Sequence, residues 1–168
     1  MRRAALASAL LLAGCDRGPA APAPTASSEA AGAALERAAI AAGVVADPVE
    51  LDPAGAYASA TDRVCVVAEG RTYRVGASID YGEGQSCLAR GEASARKQQL
   101  RIDFGDDCTL DARFDGERIV FPAVVPGACE RRCTGRASLS ALSAERLSPA
   151  ASEARAMRAP DGRALCID

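Results

Sequence analysis

Residues 87–114 read CLARGEASARKQQLRIDFGDDCTLDARF, and the alternation in this stretch decides the fold. Leu100, Ile102 and Phe104 alternate with Arg101 and Asp103, and Cys108, Leu110, Ala112 and Phe114 alternate with Thr109, Asp111 and Arg113. A period of two sends successive side chains to opposite faces, so these segments are strands with one face buried. The stretch also carries a check on its own register. A hairpin centred between Lys97 and Gln98 sets Ala95 opposite Leu100, Ala93 opposite Ile102 and Gly91 opposite Phe104, small against large each time. A second turn centred on Asp106 sets Phe104 opposite Cys108 and Ile102 opposite Leu110. Both hairpins keep one parity, which predicts one continuous inner face.

The same period continues outward. Tyr73, Val75, Ala77, Ile79 and Tyr81 alternate with Arg74, Gly76, Ser78 and Asp80. Strands are expected near 64–68, 73–81, 87–95, 99–104, 108–114 and 118–122, joined by short Gly- and Asp-bearing connections into an antiparallel meander. Every Tyr and Phe lies between Tyr57 and Phe121, which puts the β core at about 57–122. Beyond Pro122 the composition turns to Ala, Arg and Ser. Residues 136–147 fit strand or helix, and are read as a final strand returning to the sheet. Ser28 to Gly43 reads as a helix with Ser28 as cap and Gly43 at the stop. Ser148-Pro149 opens a second, short helix reaching Arg158. The expected fold is mainly β with α+β margins: a small barrel-like meander of six to seven strands, an N-terminal helix and a short C-terminal helix, stapled by disulfides. Tyr57, Tyr73 and Tyr81 are read as core, with a small ligand cavity lined by them as the alternative.

The N-terminal residues carry a different message. Met1-Arg2-Arg3 is basic, Ala4 to Leu12 is apolar apart from Ser8, and Ala13-Gly14 places small residues before Cys15. That is the order of a secretory signal. The apolar run is about half of the roughly 20 residues needed to cross a bilayer. Leu12-Ala13-Gly14-Cys15 resembles the lipobox of bacterial lipoproteins. The resemblance implies that residues 1–14 are a signal peptide and that Cys15 is lipidated. The chain would then sit on a cell membrane facing the periplasm, as small Gram-negative envelope lipoproteins do. Asp16 resembles an inner-membrane retention signal of enteric bacteria, and the choice of inner or outer membrane stays open. Residues 16–27 are Pro, Ala, Ser, Thr and Gly with two charges, a tether reaching on the order of 35 Å when extended. Residues 28–168 are then a single disulfide-stabilised domain.

Removing residues 1–14 takes two arginines away, leaving 18 Lys+Arg against 22 Asp+Glu, a net of −4. That mild acidity argues against nucleic acid, which requires a clustered basic face. The chain has no histidine, which removes Ser-His-Asp and Cys-His catalysis and histidine zinc sites together. With Cys15 assigned to lipid, Cys65, Cys87, Cys108, Cys129, Cys133 and Cys166 remain. An even number in an exported chain reads as a disulfide framework, whose connectivity spacing does not fix. Inner-face parity and proximity favour Cys87–Cys108, Cys129–Cys133 and Cys65–Cys166.

The candidate sites are three. Tyr81, Glu83 and Gln85 lie on a glycine-punctuated loop and are a possible recognition loop. Glu130-Arg131-Arg132 lies between two cysteines and would be displayed on a tight charged turn. Asp103, Asp106, Asp107, Asp111, Asp115 and Glu117 form the densest acidic stretch, read as turn and surface residues rather than a calcium loop or a carboxylate pair. No cofactor, metal or catalytic residue is expected. The expected function is a non-catalytic binding module of the cell envelope, its partner an envelope protein or a small ligand. The alternatives are an inhibitor of a secreted hydrolase such as lysozyme, whose small periplasmic barrels the meander loosely resembles, and a carboxylate-based enzyme.

Overall fold

The computed structural model describes residues 26–42, 44, 47 and 51–166. Cys15 and the tether up to Thr25 lie outside the described residues. Helix α1 spans Ala26–Ala41, starting two residues before the expected cap. Eight strands follow: β1 (Gly55–Ala58), β2 (Asp62–Glu69), β3 (Thr72–Asp80), β4 (Ser86–Arg96), β5 (Gln99–Asp103), β6 (Thr109–Phe114), β7 (Arg118–Val120) and β8 (Ser143–Ser148). A one-turn helix α2 (Gly127–Glu130) sits between β7 and β8, and α3 (Ala151–Ala156) follows β8.

Each strand pairs antiparallel with its neighbours in sequence, and β1 pairs with β8, so the sheet closes into a barrel. Closure removes the free edges that an open meander would expose. The expected meander is therefore present, with eight strands instead of six to seven. The two differences come from its ends. β1 was not expected, and the last strand occupies 143–148 instead of 136–147.

The predicted register holds. Ala93 pairs with Ile102, Ala95 with Leu100, and Ile102 with Leu110. Phe104 N–H donates to Cys108 O at 2.8 Å, completing the second hairpin. The inner face of these strands, with Tyr57, Val64, Val66, Val75, Ile79 and Ile119, is almost wholly inaccessible. An eight-stranded barrel is just wide enough to be filled by its own side chains, and this one is filled. Tyr57 and Phe114 meet edge to face with ring centres 6.2 Å apart.

A second, smaller core lies outside the barrel. Cys65, Val67, Ala154, Ala159, Leu165 and Cys166 bury one another where the C-terminal segment crosses β2 and β3. The expected Cys65–Cys166 bridge pins it. Arg90 holds it from the other side, its guanidinium donating to Ala164 O at 2.9 Å and to Leu165 O at 3.2 Å.

The other two bridges differ from expectation: Cys87 joins Cys133 and Cys108 joins Cys129. Cys87 lies opposite Ile79 on β3, whereas β4–β5 pairing extends only from Glu92↔Asp103 to Arg96↔Gln99. Cys87 is therefore well beyond the hairpin that was to bring it to Cys108. Cys129 lies in α2, which ends at Glu130, and faces Cys108, whereas Cys133 lies beyond the helix in an antiparallel bridge to Cys87, so the two neighbours in sequence are directed to different hairpins.

Candidate functional site

Alternate connections of a meander fall at opposite ends of the barrel. At one end lie the β1–β2, β3–β4 and β5–β6 turns and the long β7–β8 connection, residues 121–142. That connection is irregular, and two disulfides fasten it to two different hairpins. Cys133 faces Cys87 as an antiparallel bridge with Cα atoms 4.0 Å apart. Leu88 N–H donates to Arg132 O and Thr134 N–H to Ser86 O, at 3.0 and 2.7 Å. Cys129 meets Cys108 at the foot of the β5–β6 turn, Cα to Cα 4.7 Å.

This stapled end collects the Tyr81–Gln85 loop, Glu130-Arg131-Arg132 and part of the acidic stretch, but gives them different roles. Tyr81 is 52% exposed and Glu83 is exposed beside it. Gln85 is half-buried against Gly135, where a Cβ would stand 2.8 Å from Gln85 Cγ. The loop is held from below, with Thr134 Oγ1 donating to Gly84 O at 2.7 Å. Of the possible recognition loop, Tyr81 and Glu83 face solvent and Gln85 supports them.

Glu130-Arg131-Arg132 is not a displayed charged turn. Arg132 turns inward, donating to Phe104 O and Asp106 Oδ2, each at 2.7 Å. Glu130 Oε1 accepts from Ser138 Oγ at 2.7 Å and from Ser140 Oγ at 3.3 Å. These two charges lock the connection onto the barrel, and Arg131 alone is exposed.

The acidic stretch divides between the two ends. Asp103 Oδ1 accepts from Gly105 N–H at 2.8 Å, and Asp106 and Asp107 take left-handed φ values of 51° and 66° in the turn. Asp111 pairs with Arg101 on the outer face. At the far end Asp115 Oδ1 accepts from Glu117 and Arg118 N–H. Burial pushes the Asp115 carboxyl up, but those backbone donors and the Arg118 charge outweigh it and hold its pKa below the ordinary value. Among the described residues no group of three or more His, Cys, Asp or Glu could hold a metal ion.

The tyrosines do not share a cavity. Tyr81 is at the stapled end, whereas Tyr57 closes the opposite mouth, where Tyr73 is half-buried. Tyr57 OH donates to Pro53 O at 2.7 Å and accepts from Arg146 Nη2 at 2.9 Å. The Arg146 guanidinium lies over the Tyr57 and Phe114 rings at 5.4 and 5.0 Å from their centres. Arg146 thus plugs the mouth with a cation stacked on two aromatic faces.

Burial pushes the Tyr57 pKa up to about 12, against a smaller pull downward from Arg146. Above about 10 the unfolded chain releases this proton while the folded chain keeps it, so stability must fall as pH climbs from 10 towards 12. Tyr57→Phe should cost about 1–3 kcal/mol at neutral pH through two lost hydrogen bonds. It should also flatten the alkaline decline, leaving the part due to Tyr73, whose pKa is raised by burial and by Asp52. Urea unfolding of both proteins at neutral and alkaline pH checks this; an equal decline in the two would refute it.

Two exposed features of the stapled end were not singled out in the sequence. Val124, within a Val-Val pair between two prolines, is 83% exposed, and Thr134 ties two loops together. The Pro-Ala-Val-Val-Pro run was a visible signal for an extended apolar segment; nothing local marks Thr134. Among the described residues no helix is long and apolar enough to cross a membrane. Comparison with protein-family models, curated proteins and solved structures finds no match for this chain.

Proposed function

We propose that this chain is a lipid-anchored protein of the bacterial envelope, exposed to the periplasm, whose barrel is a non-catalytic binding module. The observation that carries this reading is the polarity of the barrel. β1 begins at Gly55 beside the Arg146 plug, so the chain from Cys15 reaches the barrel at that end. The two bridges and the loops they hold lie at the other end, the one a membrane anchor would direct away from the bilayer. A filled interior leaves little room for a ligand inside, and the rigid loop surface with Tyr81, Glu83 and Val124 becomes the contact face. Rigid, stapled loops lose little conformational freedom on binding, which favours affinity.

Mass analysis of the mature chain should find Cys15 as the acylated first residue; an unmodified Cys15 removes the anchor. Tyr81→Ala/Glu83→Ala should abolish retention of the protein on immobilised envelope proteins while leaving the unfolding midpoint unchanged. Retention unaffected by that pair would place the contact elsewhere.

The second reading, inhibition of a secreted hydrolase such as lysozyme, is favoured by the shape of the β3–β4 loop. Gly82 and Gly84 have open space around them, so Tyr81 to Gly84 stand proud of the barrel. A peptidoglycan lysis assay separates the two: protection against added lysozyme, lost in the same double variant, supports inhibition.

A further inference from the structure

On the outer face of the sheet the register sets Arg96 beside Gln99 and Gln99 beside Arg113. Neighbouring strands are about 4.8 Å apart, so the two arginines stand roughly 10 Å apart across one strand. Both are exposed, and both are long enough to converge above the glutamine between them. Lys97, the sole lysine, follows Arg96 in the β4–β5 turn. The three cations and the amides of Gln98 and Gln99 line one open groove of about 910 Å³.

What sets these cations apart is that three of them stand together in one groove without an ion pair, whereas other arginines unpaired among the described residues, such as Arg71, Arg136 and Arg158, lie outside it. Arg74 pairs with Glu69, Arg101 with Asp111, Arg118 with Glu145 and Arg132 with Asp106. Arg90 and Arg146 are held by carbonyl oxygens. Among the described residues Arg96, Lys97 and Arg113 form no ion pair. Two carboxylates reach the groove: Asp111, engaged by Arg101, and Glu36 from α1. Along the same outer face towards the stapled end the charge reverses, at the Glu92–Asp103 pair.

We propose that this groove binds the phosphate of anionic phospholipid headgroups on the membrane that carries the chain. Guanidinium groups match phosphate oxygens in planar, two-pronged geometry, and a lysine adds a point charge. The source follows from placement: the Lys97 turn is at the end where the chain from Cys15 enters the barrel, so the groove meets the bilayer surface. That step rests on the anchor reading. Of the acidic stretch, Asp115 and Glu117 share the groove's end and oppose this contact, while Asp103, Asp106 and Asp107 at the other end are repelled by the same surface, which would orient the stapled loops outward.

The test uses the mature chain from residue 15 with Cys15→Ser, which has neither signal peptide nor acylation site, sedimented with vesicles of phosphatidylcholine alone or with added phosphatidylglycerol. Binding should require phosphatidylglycerol and fall at least about tenfold in Arg96→Gln/Lys97→Gln/Arg113→Gln. It should change less than about twofold in Arg136→Gln/Arg155→Gln/Arg158→Gln, which removes the same charge elsewhere. Unchanged unfolding midpoints certify the folds of both variants. Equal losses in the two, or equal binding to both vesicles, overturn the proposal. Inorganic phosphate held by the groove without any vesicle preference also overturns it, by making the ligand a free anion. An acylated Cys15 with no lipid preference sinks the groove and leaves the anchor standing. An unacylated Cys15 with the preference intact does the reverse for the anchor, and shifts the groove's source from its own membrane to any anionic surface.

Discussion

Gly91→Ala should destabilise the whole barrel by about 3 kcal/mol, the upper range for forcing one extra carbon into a packed site. Gly91 lies on β4 where the strand leaves its pairing with β5. A Cβ built there would meet only backbone: Asp103 O, and Asp103 C and Phe104 Cα at 2.8 Å each. Backbone atoms cannot rotate aside as a side-chain tip can, so β4 or β5 must shift. A shift of either strand moves Ala93 against Ile102 and Phe104 against its neighbours, at the heart of the barrel. Gly76→Ala offers the contrast. Its Cβ would strike Leu165, with C and Cγ at 2.8 Å, on the tail that crosses the outside of β3. That tail is tied down by Cys65–Cys166 and Arg90 but is no part of the closed sheet, so the loss should be smaller and confined to the outer core. Urea unfolding followed by far-UV circular dichroism checks the pair: a Gly76 loss equal to that of Gly91, or a Gly91 loss below about 1 kcal/mol, contradicts this account of the close approach.

The close approach at Gly91 is half visible in the sequence, where pairing this glycine with Phe104 reads as small facing large. Its real role is to let two backbones approach, which hydrophobic alternation does not encode. The same limit explains what else was missed. β3, β5 and β6 were legible because their inner residues are apolar and their outer ones mostly polar or charged. β8 hides its character: Arg146 falls on the inner parity and plugs the mouth, while Leu147 points outward and is 66% exposed. An apolar residue outside and a charge inside invert the pattern that reveals a strand. β1 is four residues long with Tyr57 its one large side chain, and it is a strand because β2 and β8 lie on either side.

The candidate site shows the same division. The Tyr81–Gln85 loop announced itself through its glycines. That Glu130 and Arg132 would turn inward depends on Ser138, Ser140 and Asp106, which the fold alone brings to them. The unpaired row Arg96–Gln99–Arg113 is likewise a property of register. In the chain Arg96 and Arg113 are separated by two turns; on the barrel they flank one strand.

Removal of each disulfide in turn should rank the three by the chain they enclose. The bridge Cys65–Cys166 closes 101 residues, of which the 46 closed by Cys87–Cys133 are already short-circuited, so its loss should still cost the most, about 4.2 kcal/mol when the unfolded chain is freed. The two bridges of the stapled end are nested, Cys108–Cys129 closing 21 residues inside the 46 closed by Cys87–Cys133. The inner bridge short-circuits part of the outer loop, so the outer one contributes about 3.5 kcal/mol in its presence instead of about 4. With either present, Arg132 and Thr134 still hold the connection to both hairpins. With both gone, residues 121–142 keep hydrogen bonds and the buried Phe121, Leu139 and Leu142 but no covalent tie, and the floor that Gly135 and Thr134 provide under Tyr81 is loosened. The barrel below keeps its closure through β1 and β8 and its Arg146 plug. The double removal should therefore abolish partner retention while the Tyr57-dependent alkaline decline persists. Paired Cys→Ala substitutions, scored by urea midpoint and by retention, test this. A Cys65–Cys166 loss below both others means the tail detaches locally before the barrel unfolds, and full retention without either loop bridge moves the contact face off the stapled end.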